Sequence, residues 1–210
     1  MTVTAINVLI DPDAVTVAKA QATNARLWED FPHGFALDAN HAPHITILQR
    51  FVQTADLDKV ANAVAEVLRT EQSINWESNA IGYYALIDKD LGLVGIVIEP
   101  TEDLRHIQQK VIDAVAPFAV EKGTAEAFAP RLDGGEIGQP TLDYVNNFIG
   151  PRTGTNYNPH LTVGIGTRNF VEALTAEPFE PFTFRAVSVS IYQVGDYGIA
   201  QRKLYELHRC

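Results

Sequence analysis

Two six-residue segments of this 210-residue sequence are near copies of each other: Ala42-Pro43-His44-Ile45-Thr46-Ile47 and Asn158-Pro159-His160-Leu161-Thr162-Val163. Each reads Pro-His-apolar-Thr-apolar. Given the chain's composition, one His-x-Thr arises by accident about 0.5 times, but requiring a preceding proline lowers that to roughly 0.02, so two copies are not a chance event. The repeat also limits the local structure. Side chains at i and i+2 of a strand share a face, so His44 and Thr46 point one way while Ile45 and Ile47 point into a core. His160 and Thr162 divide from Leu161 and Val163 in the same manner. Proline has no N–H for a ladder and suits the first position of a strand.

The rest of the chain alternates between the two periodicities. Ala5 to Ile10 reads as a strand, and Asp13 caps a helix to about Trp28 with Val17, Ala20, Asn24 and Leu27 toward one side. Thr54 to Arg69 and Thr101 to Phe118 have helical apolar spacing, with Thr54 as a plausible cap of the first. Ile74 to Trp76, Ala80 to Ile87 and Leu91 to Glu99 read as strands, the last two joined at Asp88-Lys-Asp, and Phe182 to Val194 with Ile199 to Leu207 form a terminal hairpin. Roughly eight strands and four or five helices, with hairpins beside helix crossovers, make an α+β pattern in one domain spanning 1–210. Residues 121–158 differ: they hold six of the 14 glycines, with a short helix expected around Thr141 to Phe148. An irregular stretch of that length inside a compact domain is a functional lid or a tolerated insertion.

Two imidazoles and two hydroxyls facing one cleft, from strands related by a pseudo-two-fold axis, are equipped for displacement at phosphorus. A neutral histidine takes the proton of attacking water and a protonated one delivers a proton to the leaving oxygen. With an unperturbed pKa of about 6.5, histidine can serve in either state near neutrality. The threonine hydroxyls can hydrogen-bond the non-bridging oxygens. His44, Thr46, His160 and Thr162 are therefore the candidate catalytic residues, and no step requires a metal or other cofactor.

The two His-x-Thr-x motifs, 116 residues apart from 44 to 160, resemble those of the two-histidine (2H) phosphoesterase superfamily, which includes 2′-5′ RNA ligase-like proteins and cyclic nucleotide phosphodiesterases. The resemblance implies a bilobal α+β fold with two pseudo-symmetric antiparallel β-sheets, outer helices and a central cleft. It implies activity on 2′,3′-cyclic phosphates or 2′-5′ linkages, with His160 activating water and His44 protonating the leaving oxygen. The chain departs from members with basic, RNA-handling surfaces: its net charge is −10, which favours a small phosphate ester over a long polyanion. Hydrolysis of a small cyclic phosphate is thus the expected function. The alternatives are a nucleotide- or RNA-end-binding module without turnover, and 2′-5′ ligation.

Lesser candidates surround the motifs. Arg50 follows the first motif and could neutralise phosphate, Tyr157 precedes the second, and Tyr83, Tyr84 and Tyr192 on strands could stack on a base. Each has an ordinary alternative as a surface or core residue. Tyr84 shares the strand of Tyr83, and Arg152 and Arg168 could form a local basic patch. His33, His41, His44 and His160 could suggest zinc, but no cysteine is near and no acidic ligand is suitably spaced. The lone cysteine, Cys210, and His208 have no evident partners. No basic leader or apolar run near 20 residues is present, so a cytoplasmic monomer that engages no membrane is expected.

Overall fold

The computed structural model describes residues 2–71, 76–131 and 134–207. Ile74 and Asn75 of the expected short strand, together with His208 and Cys210, lie outside the described residues. The chain begins with β1 (Val3–Pro12), α1 (Ala14–Asp30) and β2 (Ile45–Gln53), followed by α2 (Leu57–Thr70). The hairpin of β3 (Glu77–Asp88) and β4 (Leu91–Ile98) leads to α3 (Glu102–Val115) and α4 (Gln139–Asn146). Then come β5 (His160–Thr167), α5 (Arg168–Ala176), β6 (Phe182–Val194) and β7 (Ala200–Leu207).

Local chemistry sets the helix ends. Asp13 caps α1 by accepting from the Thr16 N–H at 2.8 Å, and Thr101 caps α3 by accepting from the Leu104 N–H at 3.2 Å. Thr54 is not a cap: its hydroxyl bonds that of Thr4 at 2.9 Å, and a 3₁₀ turn over Thr54–Asp56 leads into α2. α2 buries Val60, Ala61, Val64 and Leu68, and α3 buries Leu104, Ile107, Gln108, Val111 and Val115. Gln108 is the one polar member of that α3 stripe.

All seven strands form one antiparallel sheet in the order β1-β2-β5-β4-β3-β6-β7, and β1 also pairs with β6. The first six strands therefore close on themselves, with β7 outside on β6. The β2–β5 contact is a single residue pair, Ile45↔Leu161. These are the middle residues of the two His-x-Thr motifs, so the repeated segments run antiparallel at this seam, His44 across from Thr162 and Thr46 across from His160. α1 packs against β5 and α3 against β2. From the segments 121–131 and 134–158, Ala127, Phe128 and Val145 pack with Ala5, Phe51 and Val194 in a separate apolar cluster, whereas Phe148 and Tyr157 join the main core. The Ala129 N–H bonds the Val194 carbonyl at 2.8 Å and Gln193 Nε2 donates to the Ala127 carbonyl at 3.1 Å. No helix among the described residues is long and apolar enough to cross a membrane.

Candidate active site

The two histidines are mounted identically. His44 Nδ1 lies 2.7 Å from the Ala42 carbonyl, and His160 Nδ1 lies 2.8 Å from the Asn158 carbonyl. A carbonyl only accepts, so Nδ1 carries the proton in both rings, and Nε2 holds the lone pair of the neutral imidazole. The intervening Pro43 and Pro159 confine the residues before them to extended conformations, which directs both carbonyls.

Each motif ends in a β-bulge. Val8 pairs with Leu48 but Leu9 pairs with Thr46, so the ladder passes over Ile47. Val94 pairs with Gly164 but Gly95 pairs with Thr162, so it passes over Val163. One extra residue reverses which face each later side chain takes.

The threonines have different partners. Asn7, fully buried in β1, reaches His44 Nε2 at 3.2 Å and Thr46 Oγ1 at 3.3 Å with its Nδ2. On the other strand the Thr162 hydroxyl lies near that of Tyr84, whose ring meets His160 edge-on with centroids 4.9 Å apart.

His44, Thr46, Tyr84, His160 and Thr162 border a cavity of about 570 Å³ that also takes in Phe35, Leu37, His41, Gln49, Tyr144 and Arg152, while Asn7 lies behind its wall. Among the described residues that line it, Arg152 is the only lysine or arginine and there is no carboxylate. The guanidinium lies 3.9 Å from the Tyr144 ring centre. In a chain of net charge −10, the pocket thus holds one cation with no carboxylate among its described lining residues. Burial holds the His44 imidazole below its ordinary value. The bond to Ala42 and the charge of Asp11 oppose that shift, and His160 adds to it. Burial also lowers His160, against the bond to Asn158. Both shifts favour the neutral ring.

The predicted quartet His44, Thr46, His160 and Thr162 is brought together on one cavity. Tyr157 also lines it, but its hydroxyl donates to the Thr46 carbonyl at 3.0 Å and supports the first motif. The other three expected binding residues do not line it. Strand alternation places Arg50 on the His44 face, but the bulge at Ile47 gives that face to Gln49. Tyr83 turns to the core, where its hydroxyl bonds Thr23 at 3.3 Å and its ring meets Phe179. Its neighbour Tyr84, on the opposite strand face, takes the place at the site. Tyr192 lines a second, shallower pocket with Asp11 and Lys203. Sequence reasoning missed Asn7, although a lone carboxamide within Ala5–Ile10, a run otherwise apolar, was a visible signal. It also gave no site role to His41, whose ring stacks on Phe35.

The sequence profile of the 2′-5′ RNA ligase superfamily matches residues 15–197. No curated protein matches the chain significantly. Among solved structures, TT0787 of Thermus thermophilus superposes with a TM-score of 0.62 at 11% identity, over 98% of this chain and 97% of its own. Apo LigT of E. coli gives 0.49 at 11% identity, over 99% and 98% of the two chains. Usb1 of Kluyveromyces marxianus with uridine monophosphate gives 0.46 at 10% identity, over 97% and 98%. The first of these likenesses bears on the fold alone.

Proposed function

The chain belongs to the 2′-5′ RNA ligase superfamily, and on that premise we propose that it hydrolyses a small 2′,3′-cyclic phosphate, such as a cyclic mononucleotide, using His160 as base and His44 as acid. The observation that carries this reading is the matched anchoring of both Nδ1 atoms, which commits each Nε2 to proton transfer. We also read β1–α1–β2 and β4–α3–β5 as two copies of one unit, related by a pseudo-two-fold axis near the Ile45–Leu161 pair.

In the scheme, His160 Nε2 removes a proton from water as its oxygen bonds to phosphorus. The bond from phosphorus to one ribose oxygen breaks, and that oxygen takes the proton from His44 Nε2, leaving a phosphomonoester. Solvent then returns both rings to their starting states. Binding an anion raises the proton affinity of a nearby imidazole, which readies His44 as the acid. Asn7 Oδ1 is buried without a hydrogen-bond partner, and a turn of that carboxamide would present it to an Nε2 proton. Thr46 and Thr162 can donate to the non-bridging oxygens, and Arg152 supplies the cation. No step calls on a metal.

The test is hydrolysis of the four 2′,3′-cyclic mononucleotides in EDTA, with wild type beside His160→Ala. The expected loss in the variant is on the order of 10² to 10⁴ in rate. Full activity in His160→Ala, or abolition of wild-type turnover by EDTA, would sink the scheme.

A further inference from the structure

Two buried carboxamides outside the reacting groups make the same three hydrogen bonds. Gln108 of α3 donates from Nε2 to the carbonyls of Ile47 at 3.0 Å and Arg152 at 3.1 Å, and accepts at Oε1 from the Gly154 N–H at 3.2 Å. Asn24 of α1 donates from Nδ2 to the carbonyls of Val163 at 2.8 Å and Phe35 at 2.9 Å, and accepts at Oδ1 from the Leu37 N–H at 2.9 Å. Each takes the carbonyl of residue i and the N–H of residue i+2 from one loop. The remaining bond goes to the carbonyl of a bulged residue, Ile47 or Val163. A buried carbonyl passed over by its ladder needs a donor, and a carboxamide has the two N–H groups and one oxygen to satisfy all three sites.

The connections are crossed. Loop 35–37 leads toward His44, yet Asn24 ties it to the bulge beyond His160. Loop 152–154 leads toward His160, yet Gln108 ties it to the bulge beyond His44. Both loops are cavity walls, the first through Phe35 and Leu37 and the second through Arg152. Ile47 and Val163 each directly follow the motif threonine, so the direction of a bulged carbonyl and the pose of the His-Thr pair before it are set together.

We propose that Asn24 and Gln108 are positioning residues that cross-brace the cavity, each holding the wall on one side in register with the histidine motif on the other. The proposal rests on the reading that His44 and His160 are the reacting pair. Both braces act through backbone and reach no reacting atom.

Histidine titration by NMR on wild type, Asn24→Leu and Gln108→Met tests it. Gln108→Met should change the titration of His44 and leave that of His160, and Asn24→Leu should do the reverse. Any other pattern overturns the proposal: both histidines moved alike, neither moved, or each variant acting on the motif its own loop enters. A merely structural loss would lower stability without this selectivity. The titration requires no turnover, so a wild type inactive on cyclic phosphates would remove the hydrolase reading and leave this result standing. Should a variant fail to fold, hydrogen exchange of the wild-type side-chain carboxamides decides. Exchange at least about tenfold slower than that of an exposed amide, as about one net hydrogen bond per proton requires, supports the braces. Exchange at the exposed rate overturns them.

Discussion

The Tyr84 ring lies across Gly95, in space that any side chain at position 95 would occupy. Gly95 pairs with Thr162 on the neighbouring strand, so the missing side chain lets a β3 tyrosine reach over β4 to the second motif. Gly95→Ala should displace Tyr84 from His160 and Thr162 and lower kcat by about tenfold, the worth of one hydrogen bond. Gly82→Ala, where an added Cβ meets nothing within 4 Å, should leave kcat unchanged. Steady-state kinetics of the two variants side by side check this, and equal behaviour would refute it.

Asn7 carries a stability cost along with its proposed role. Asn7→Leu removes the orphan Oδ1, and His44 and Thr46, which lose its Nδ2 donor, border the cavity and can turn to water, so the change is close to neutral for stability. The variant should melt at or above the wild-type temperature while kcat falls by roughly 10- to 100-fold, as for a hydrogen bond to a charged group. A thermal melt paired with kinetics tests both halves, and an active, less stable variant would contradict the assignment.

Burial of two neutral imidazoles makes stability depend on pH. Both folded-state pKa values lie below the unfolded value of 6.5. The unfolded chain therefore binds more protons between the two, and stability falls as pH drops through that window. Above 6.5 the penalty is absent. Melting temperature measured from pH 8 down to pH 5 should decline in the wild type and decline less in the double variant His44→Gln, His160→Gln. Parallel curves would mean the histidines are not buried as described.

Asp196 ties Arg131, Gly138 and Thr141 to the β6–β7 turn. It accepts from Thr141 Oγ1 at 2.6 Å, from the N–H groups of Tyr197 at 3.1 Å and Gly138 at 3.2 Å, and from Arg131. These bonds help hold Tyr197 at φ 58°, left-handed backbone uncommon for a residue with a side chain. Burial alone would raise the Asp196 carboxyl, but the bonds from Thr141, Gly138, Arg131 and Tyr197 outweigh it and hold it below the usual 3.8. Its contribution is complete above that value and fades as pH falls through the lowered one. Asp196→Asn should cost about 1.5 to 3 kcal/mol in urea unfolding at pH 7 and raise KM, because its partners Tyr197 and Thr141 line the cavity. The stability gap to wild type should close at the acid end of a pH series.

The two His-Thr pairs were legible because strand period and repetition are both local properties. Arg50 was not, because a bulge at Ile47 looks in sequence like any β-branched residue continuing a strand. Tyr83 and Tyr84 show a different limit: a strand pattern yields two faces, but which one meets the second motif is decided by Gly95, on another strand. Asn24 could be placed on the inner side of α1, yet its partners, Phe35, Leu37 and Val163, come from two distant segments. Helix spans were readable from apolar spacing and caps, whereas Thr54 failed as a cap because Thr4, 50 residues away, takes its hydroxyl.

Because α1 backs β5 and α3 backs β2, the order of synthesis matters. The inner face of α1 leaves the ribosome early, and its bond from Asn24 to Val163 must wait for a residue 139 positions later. The first histidine strand in turn lacks its backing until α3 (Glu102–Val115) has been made. Neither half can settle while the other is unmade, so folding should be post-translational and slow for a chain of this size, as contacts distant in sequence require. A nascent chain halted before β5 should expose apolar surface to chaperones rather than carry half of a finished site.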